Sequence, residues 1–95
     1  MAAYVIVDLE VTDPVRYAEY RQRVPATVAA HGGRFLVRGG EHEVVEGSWR
    51  PRRLVVFEFP SLAQARRWYD SAEYREPKEM RLAASNANLV FVEGA

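Results

Sequence analysis

The stretch that decides the fold is Ala3–Pro14, AYVIVDLEVTDP. Its first nine residues are rich in β-branched side chains and predict a strand over Ala3–Val11. Asp13 is a favoured N-cap, and Pro14 at the first helical position lacks only an N–H group that a helix leaves unpaired anyway. This stretch therefore predicts a strand that passes directly into a helix.

The helices continue from this start. Apolar residues at spacings of three and four extend the first helix to Gly32-Gly33, and Pro25 is expected to kink or split it. Ser61 is predicted to cap a second helix, and Ser71 a further helical piece that reaches Ala84 and is interrupted by Pro77. Asn86-Ala87-Asn88 is expected to end that piece.

Three further strands show the same β-branched and aromatic signal: Arg34–Arg38, Arg53–Phe59 and Leu89–Glu93. His42–Glu46 is expected to continue the strand Arg34–Arg38 in an extended conformation. The order β-α-β-β-α-β predicts an α+β protein of the ferredoxin-like class, a four-stranded antiparallel sheet with the helices on one face. Residues 1–95 are expected to form one such domain.

The two faces of the predicted sheet differ, because side chains alternate along each strand. The set expected beneath the helices is wholly apolar: Val5, Val7, Leu9, Phe35, Val37, Val55, Phe57, Phe59, Val90 and Val92. The opposite set mixes apolar and charged side chains: Tyr4, Ile6, Asp8, Glu10, Leu36, Arg38, Leu54, Val56, Glu58, Leu89, Phe91 and Glu93. A face turned to water is mainly polar. We therefore expect a second copy to cover this face in a homodimer.

The amino-acid composition of the chain argues against several classes of binding partner and of chemistry. Thirteen basic and thirteen acidic residues give a net charge of zero, which argues against binding to nucleic acid or to an acidic membrane. The absence of cysteine excludes disulfides and thiolate chemistry. No signal-peptide pattern and no membrane-length apolar run is present, so a cytoplasmic location is expected.

The segment Phe35–Trp49, FLVRGGEHEVVEGSW, allows three interpretations. Arg38-Gly39-Gly40 is either an anion cradle, a tight Gly-Gly hairpin, or a glycine bulge that bends a long strand into a barrel wall. Phosphate-binding loops carry more glycines and a helix directly after them, and this segment continues as a strand. We favour the bulge, because Trp49-Arg50-Pro51 already supplies a turn.

The whole chain from Tyr4 to about Glu93 resembles the domain-of-unknown-function family 1330. The most specific segments are Thr12-Asp13-Pro14, Gly32-Gly33, Arg38-Gly39-Gly40, Glu46-Gly47-Ser48-Trp49, Phe59-Pro60-Ser61 and Trp68-Tyr69-Asp70-Ser71. Pro77 departs from the pattern. The resemblance implies a ferredoxin-like protomer that dimerises into an α+β barrel. Related barrels include cofactor-free monooxygenases, isomerases and haem enzymes, and such a fold does not by itself fix a reaction.

Asp8, His31 and Arg38 are the candidates for catalysis. Asp8 interrupts an apolar strand, so it is either a base with a shifted pKa or part of an ion pair at the dimer interface. His31 ends the first helix, where it either complements the helix dipole or acts as a general acid or base. Arg38 would supply positive charge.

Aromatic residues are the candidate walls of a ligand site: Tyr17, Tyr20, Trp49 and Trp68, with His42 beside them. The alternative for aromatic residues at helical spacing is a core position with a hydrogen-bonded tip. No metal site is predicted, because neither histidine belongs to a ligand spacing. No cofactor is expected, and for haem only His31 is available as an axial ligand.

These residues predict a homodimeric protein that binds a small apolar or aromatic molecule between sheet and helices. In one version it is a cofactor-independent enzyme, monooxygenase- or isomerase-like, acting on an aromatic or polyketide-like compound. In the other it is a non-catalytic ligand-binding or structural dimer.

Overall fold

Strands and helices alternate along the chain and form two layers. The computed structural model describes all of residues 1–95. Its elements are β1 (Ala3–Val11), α1 (Pro14–Ala30), β2 (Arg34–Arg38), β3 (Arg53–Phe59), α2 (Leu62–Tyr69), α3 (Ala72–Ala84) and β4 (Ser85–Glu93). The strands pair antiparallel in the order β2-β3-β1-β4. This topology confirms the predicted ferredoxin-like α+β fold. No helix combines the length and the apolar character needed to cross a membrane.

The helix starts lie where the sequence placed them. The side-chain oxygens of Asp13, Ser61 and Ser71 each accept a backbone N–H three residues ahead, at 3.2, 3.0 and 3.2 Å. At the end of α1, Gly32 has a φ of 78° and the Gly33 N–H donates to the Val28 carbonyl at 2.9 Å. These caps pair backbone groups that a helix end would otherwise leave open.

Pro77 does not interrupt α3, which is continuous over Ala72–Ala84, so that predicted break is wrong. Pro25 does not split α1, which is continuous over Pro14–Ala30, so the predicted split is wrong as well. Proline has no N–H to offer the carbonyl four residues earlier, which here belongs to Arg21. The guanidinium of Arg38 donates to that carbonyl instead. The hydrogen bond lost inside the helix is thus replaced by one from β2, on the neighbouring layer.

The predicted faces of β4 are wrong. The strand begins at Ser85, directly after α3, so Asn86–Asn88 belong to it and do not precede it. In its register with β1, Leu89 lies opposite Val7 and Phe91 opposite Val5. Both therefore share the helix-covered face, and both pack against the core. Val90 and Val92 lie on the other face, 54% and 45% exposed.

The bulge in β2 lies earlier than predicted. Phe35 pairs with Phe57 but Val37 pairs with Val56, so the extra residue is Leu36, before the glycines. From that point the faces exchange: Val37 joins the uncovered face, and Arg38, opposite Val55, joins the helix side. Residues 41–46 form no strand, and the expected extension of β2 is wrong.

Aromatic packing around Trp68 joins the two layers. Its side chain is fully buried, with ring centroids of Phe57 and Phe59 in the sheet at 5.1 and 5.5 Å and that of Tyr74 on α3 at 4.1 Å. Its indole N–H donates to the Thr27 hydroxyl of α1 at 3.0 Å. One side chain of α2 thus contacts the sheet and both other helices.

The opposite face of the sheet carries no helix. The molecule measures 36 × 33 × 17 Å, a slab one sheet and one helix thick. Its accessible surface of 5988 Å² exceeds the value of about 5,500 Å² typical of a monomer of this mass. We call this face, which presents Ile6, Leu54, Val56, Val90 and Val92, the open face.

Gly33 tests the contact between α1 and β3. A Cβ at this position would lie 2.6 Å from a Phe59 ring carbon and 2.7 Å from a Val28 methyl. Gly33→Ala is therefore expected to lower the free energy of unfolding by about 1–3 kcal/mol through overpacking. Gly40→Ala is the control, because nothing lies within 4 Å of its added methyl. Urea denaturation checks both, and equal stabilities for the two variants would contradict the packing described.

Candidate functional site

A cavity lies between the helices and the covered face of the sheet. Eleven hydrophobic residues and four arginines line it. The lining residues are Val7, Leu9, Tyr17, Tyr20, Arg21, Val24, Phe35, Arg38, Arg53, Val55, Phe57, Trp68, Tyr74, Arg81 and Leu89. The region contains about 390 Å³ of empty space, including the part open to solvent. The cavity proper, counted as the space open to the centre of a water molecule, measures about 20 Å³. This is room for one or two waters.

A chain of polar groups lies on the helical wall of this cavity. The hydroxyls of Tyr20 on α1 and Tyr74 on α3 are 2.9 Å apart. The Nε of Arg81 donates to the Tyr74 hydroxyl at 3.2 Å. Arg81 is only 4% exposed, and Tyr74 lies seven residues before it, two turns earlier on the same side of α3.

Burial sets the protonation of these groups. Burial away from water raises the pKa of Tyr20 well above its ordinary 10.0, and the neighbouring Tyr74 adds to this effect. Burial likewise raises the pKa of Tyr74. Burial acts to lower the pKa of Arg81, but the adjacent tyrosine oxygens outweigh it and the pKa is raised. Near neutral pH the cavity therefore contains two neutral phenols and a charged guanidinium.

Two more arginines lie across the mouth of the cavity. The Nε of Arg53 donates to the Tyr17 hydroxyl at 3.2 Å, and its guanidinium carbon is 5.6 Å from the centre of the Tyr17 ring. A Cβ on Gly39 would lie 2.0 Å from an Arg53 nitrogen, and Gly39 has a φ of 71°. Arg38 extends over the Phe35 ring at 4.9 Å. The Arg-Gly pair at residues 38–39 thus supplies one guanidinium and makes room for another.

No carboxylate lines this cavity. The chain has five ion pairs, and none of them involves Arg21, Arg38, Arg53 or Arg81. The cavity is therefore positively charged, although the net charge of the whole chain is zero.

The predicted catalytic residues do not meet. Asp8 lies on the open face, where its carboxylate accepts the Trp49 indole N–H at 2.8 Å and the Arg52 backbone N–H at 3.1 Å. Arg38 lies in the cavity, on the other side of the sheet. Asp8 ties the 39–52 loop to β1, and in this arrangement it has no access to a ligand in the cavity.

His31 lies at the end of α1, away from the cavity. Its Nε2 is 3.7 Å from a carboxylate oxygen of Glu73, too far for a hydrogen bond, and this nitrogen is buried without a partner. The pKa of Glu73 is lowered mainly by a backbone hydrogen bond, and the nearby His31 lowers it further. His31 thus lies between α1 and the start of α3 and does not reach the cavity lining.

The predicted wall residues divide into two groups. Tyr17, Tyr20 and Trp68 line the cavity. Trp49 is 59% exposed beside Asp8, and His42 bonds to the Pro51 carbonyl at 3.0 Å within its own loop. The last two belong to the 39–52 loop and do not reach the cavity.

Three arginines of the lining, Arg21, Arg53 and Arg81, were missed in the sequence, and the last two had a periodic signal. Arg81 follows Tyr74 and Pro77 at the helical spacing that defines the buried side of α3. Arg53 precedes Val55 and Phe57 in the alternation of β3, on the covered face. Both were passed over because charged residues are mostly found in water.

Fold and site together define a ferredoxin-like α+β protein with one arginine-bearing apolar cavity between its layers. The chain belongs to the family described as "Domain of unknown function (DUF1330)", whose model matches residues 2–95. No protein with a curated description is similar enough to count as a relative.

Solved structures share this fold. A protein of unknown function from Rhodopseudomonas palustris superimposes with a TM-score of 0.81 at 17% identity, over 99% of this chain and 82% of the other. SnoaB, a cofactor-independent oxygenase from Streptomyces nogalater, gives 0.68 at 13%, over 99% and 93%. A provisionally assigned antibiotic biosynthesis monooxygenase from Nitrosomonas europaea gives 0.57 at 13%, over 97% and 89%. At these identities the likeness establishes the fold alone.

The buried phenol of Tyr20 predicts a loss of stability at high pH. Its pKa is raised in the folded protein. Below pH 10 both the folded and the unfolded protein therefore hold the proton, and the contribution of Tyr20 to the free energy of unfolding is complete. Above pH 10 the unfolded state releases the proton first, and stability falls by up to about 1.4 kcal/mol per pH unit. Tyr20→Phe is expected to show a shallower fall in urea denaturation between pH 9 and 11.5.

Tyr4→Phe is the control for this measurement, because Tyr4 lies on the open face and its hydroxyl is not part of the cavity chain. It is expected to keep the wild-type slope. The same slope in wild type and Tyr20→Phe would show that the Tyr20 phenol is solvated.

Proposed function

We propose that this protein is a homodimer that binds a small molecule in the cavity between α1, α3 and the sheet. The observation that carries the proposal is the lining itself, an apolar pocket with a few convergent polar groups at fixed positions. Such a combination is the usual composition of a ligand site. A ring-sized ligand needs more room than this cavity has as it stands, so side chains of its lining must move when such a ligand binds.

The polar groups of the cavity support binding more directly than catalysis. A general base at neutral pH needs a group that gives up its proton near that pH. The cavity contains neither a carboxylate nor a histidine, and the pKa values of Tyr20 and Tyr74 are raised. Its phenols and guanidinium groups are hydrogen-bond donors, suited to hold an oxygen atom of a ligand.

A cofactor-independent enzyme acting on an aromatic or polyketide-like compound is the second candidate. SnoaB, described as a cofactor-independent oxygenase, shares the fold, and fold likeness alone does not transfer an activity. The observation that favours this candidate is the Tyr20–Tyr74 pair beside Arg81. Such donors would stabilise negative charge that develops on a substrate oxygen. Turnover of a bound probe in air would distinguish this candidate from simple binding.

Support for a homodimer comes from the open face. Its apolar side chains continue across three strands. Glu58 is paired with Arg34 and Glu10 with Arg52 at 3.2 Å, and the Asp8 carboxylate accepts hydrogen bonds from Trp49 and Arg52. Covering this face with a second copy would therefore bury few unpaired charges, which are the main cost of such a contact.

Val90→Glu tests the homodimer. This residue is 54% exposed on the open face, and a carboxylate there would oppose close contact with a second sheet. Light scattering at micromolar concentration is expected to give about twice 10.8 kDa for the wild type and the monomer mass for the variant. Val15→Glu, 83% exposed on α1, is the control and should remain dimeric. A wild-type mass near 10.8 kDa would refute the homodimer.

The two tryptophans test the ligand site. Trp68 lies in the cavity wall and Trp49 on the opposite face of the sheet. We expect titration of ¹⁵N-labelled protein with benzoate or benzyl alcohol to shift the indole N–H signal of Trp68 and leave that of Trp49 unchanged. Shifts confined to Trp49, or no shifts with either probe at millimolar concentration, would contradict a site in the cavity.

Neighbouring residues of β3 provide the matched variants for this titration. Val55→Phe adds a ring inside the cavity and is expected to weaken binding of both probes. Val56→Phe makes the same change on the open face and should leave their affinities unchanged. Thermal denaturation confirms that both variants are folded, since overpacking at Val55 costs about 1–3 kcal/mol.

A further inference from the structure

We infer that the ligand of this cavity is a small anion with an apolar body, an aromatic or branched monocarboxylate held by the terminal nitrogens of Arg81. The inference rests on the proposed function, since it names the class of molecule that the same cavity takes. Three features support it: the free donors of Arg81, the charge of the cavity and the nature of its walls.

Arg81 is buried but only partly bonded. Its Nε donates to the Tyr74 hydroxyl, while its two Nη atoms make no hydrogen bond within the protein and neither is completely closed off from solvent. The side chain lines the cavity and is 4% exposed. The two Nη atoms form a planar fork of the geometry that binds both oxygens of a carboxylate.

The tyrosine pair supplies a further donor. Its two hydroxyls carry two hydrogens, and the contact between Tyr20 and Tyr74 uses one of them. The bond from Arg81 occupies an acceptor position on Tyr74 and uses none. One phenolic hydrogen therefore remains available to an acceptor in the cavity.

A buried arginine without a counter-ion is costly to fold. Taking a guanidinium out of water is compensated only when it is paired and fully hydrogen-bonded. The outer arginines Arg23, Arg34 and Arg66 each have an acidic partner, and Arg81 has none. An anionic ligand would provide the missing charge and accept the unused N–H groups.

The other groups of the cavity fit the same ligand. Arg21, Arg38 and Arg53 surround it without any carboxylate, so their field attracts an anion towards the mouth. The walls beyond Arg81 are the aromatic and aliphatic side chains of Phe57, Val24 and others. They offer contacts to an apolar ring or a branched chain.

Comparison of benzoate with benzyl alcohol tests the inference in the wild-type protein. The two probes share a ring and differ in charge at the end that would face Arg81. With the Trp68 indole signal as the readout, benzoate is expected to bind about ten- to a hundredfold more tightly, the range of charge-assisted hydrogen bonds. Equal affinities would overturn the anion inference while the proposed site stands. Binding of neither probe would overturn both.

The variant Arg81→Met tests whether the preference for benzoate over benzyl alcohol depends on Arg81. It keeps the length of the side chain and removes the charge, so benzoate is expected to lose its advantage over benzyl alcohol. Its melting temperature is measured alongside, to show that the variant is folded. Arg67→Met is the control, because Arg67 is exposed on α2 and bonds only to Gln64.

Two outcomes with these variants would overturn the role of Arg81. One is an unchanged preference for benzoate in Arg81→Met. The other is a lowered melting temperature with benzoate binding retained, which would make Arg81 a structural residue. Since the wild-type ratio needs no variant, the class of ligand is decided even where Arg81→Met fails to fold.

Discussion

The helical layer depends on the burial of Trp68. Three helices of 17, 8 and 13 residues cover a single sheet in a chain of 95 residues, and α2 alone is too short to be stable in water. Trp68 gives α2 its stability through contacts with Phe57 and Phe59, and it holds α1 through Thr27. The same indole forms one wall of the cavity. The site is thus the incompletely filled side of the aromatic cluster around Trp68.

That position explains why the polar groups of the site are few and rigid. A hydroxyl or guanidinium beside Trp68 is removed from water and must find partners within the protein. Tyr20, Tyr74 and Arg81 satisfy one another in part, and the donors left over face the cavity.

The helix starts, which depend on neighbouring residues in the chain, were predicted correctly from the sequence. Asp13, Ser61 and Ser71 cap their helices as expected, because an N-cap acts within three residues. Prediction from the sequence failed where pairing with another strand decides. The faces of β4 follow from its register with β1, and those of Arg38 and Val37 from one extra residue in β2. A shift of one residue reverses every side chain beyond it, and nothing in a single strand reports that shift.

The candidate site, like the fold, could be predicted from the sequence only in part. Tyr17, Tyr20 and Trp68 carry a periodic apolar signal, and so does Arg81 once a charged residue is allowed on a buried face. The position of Asp8 was not predictable, because its partners Trp49 and Arg52 come from a loop more than forty residues away. Only the folded chain shows that Asp8 and Arg38 lie on opposite sides of the sheet.

The two faces of the sheet are prepared for different partners. On the open face the acids of β1 and β3 are engaged within the chain, by Arg52, Arg34 and the Trp49 indole, which leaves an apolar surface whose cover needs no charge. On the covered face the arginines are left without acids. In a neutral chain this separation is a feature of the fold, since the alternation of each strand decides which charges can meet. A second copy suits the first surface and an anion suits the second.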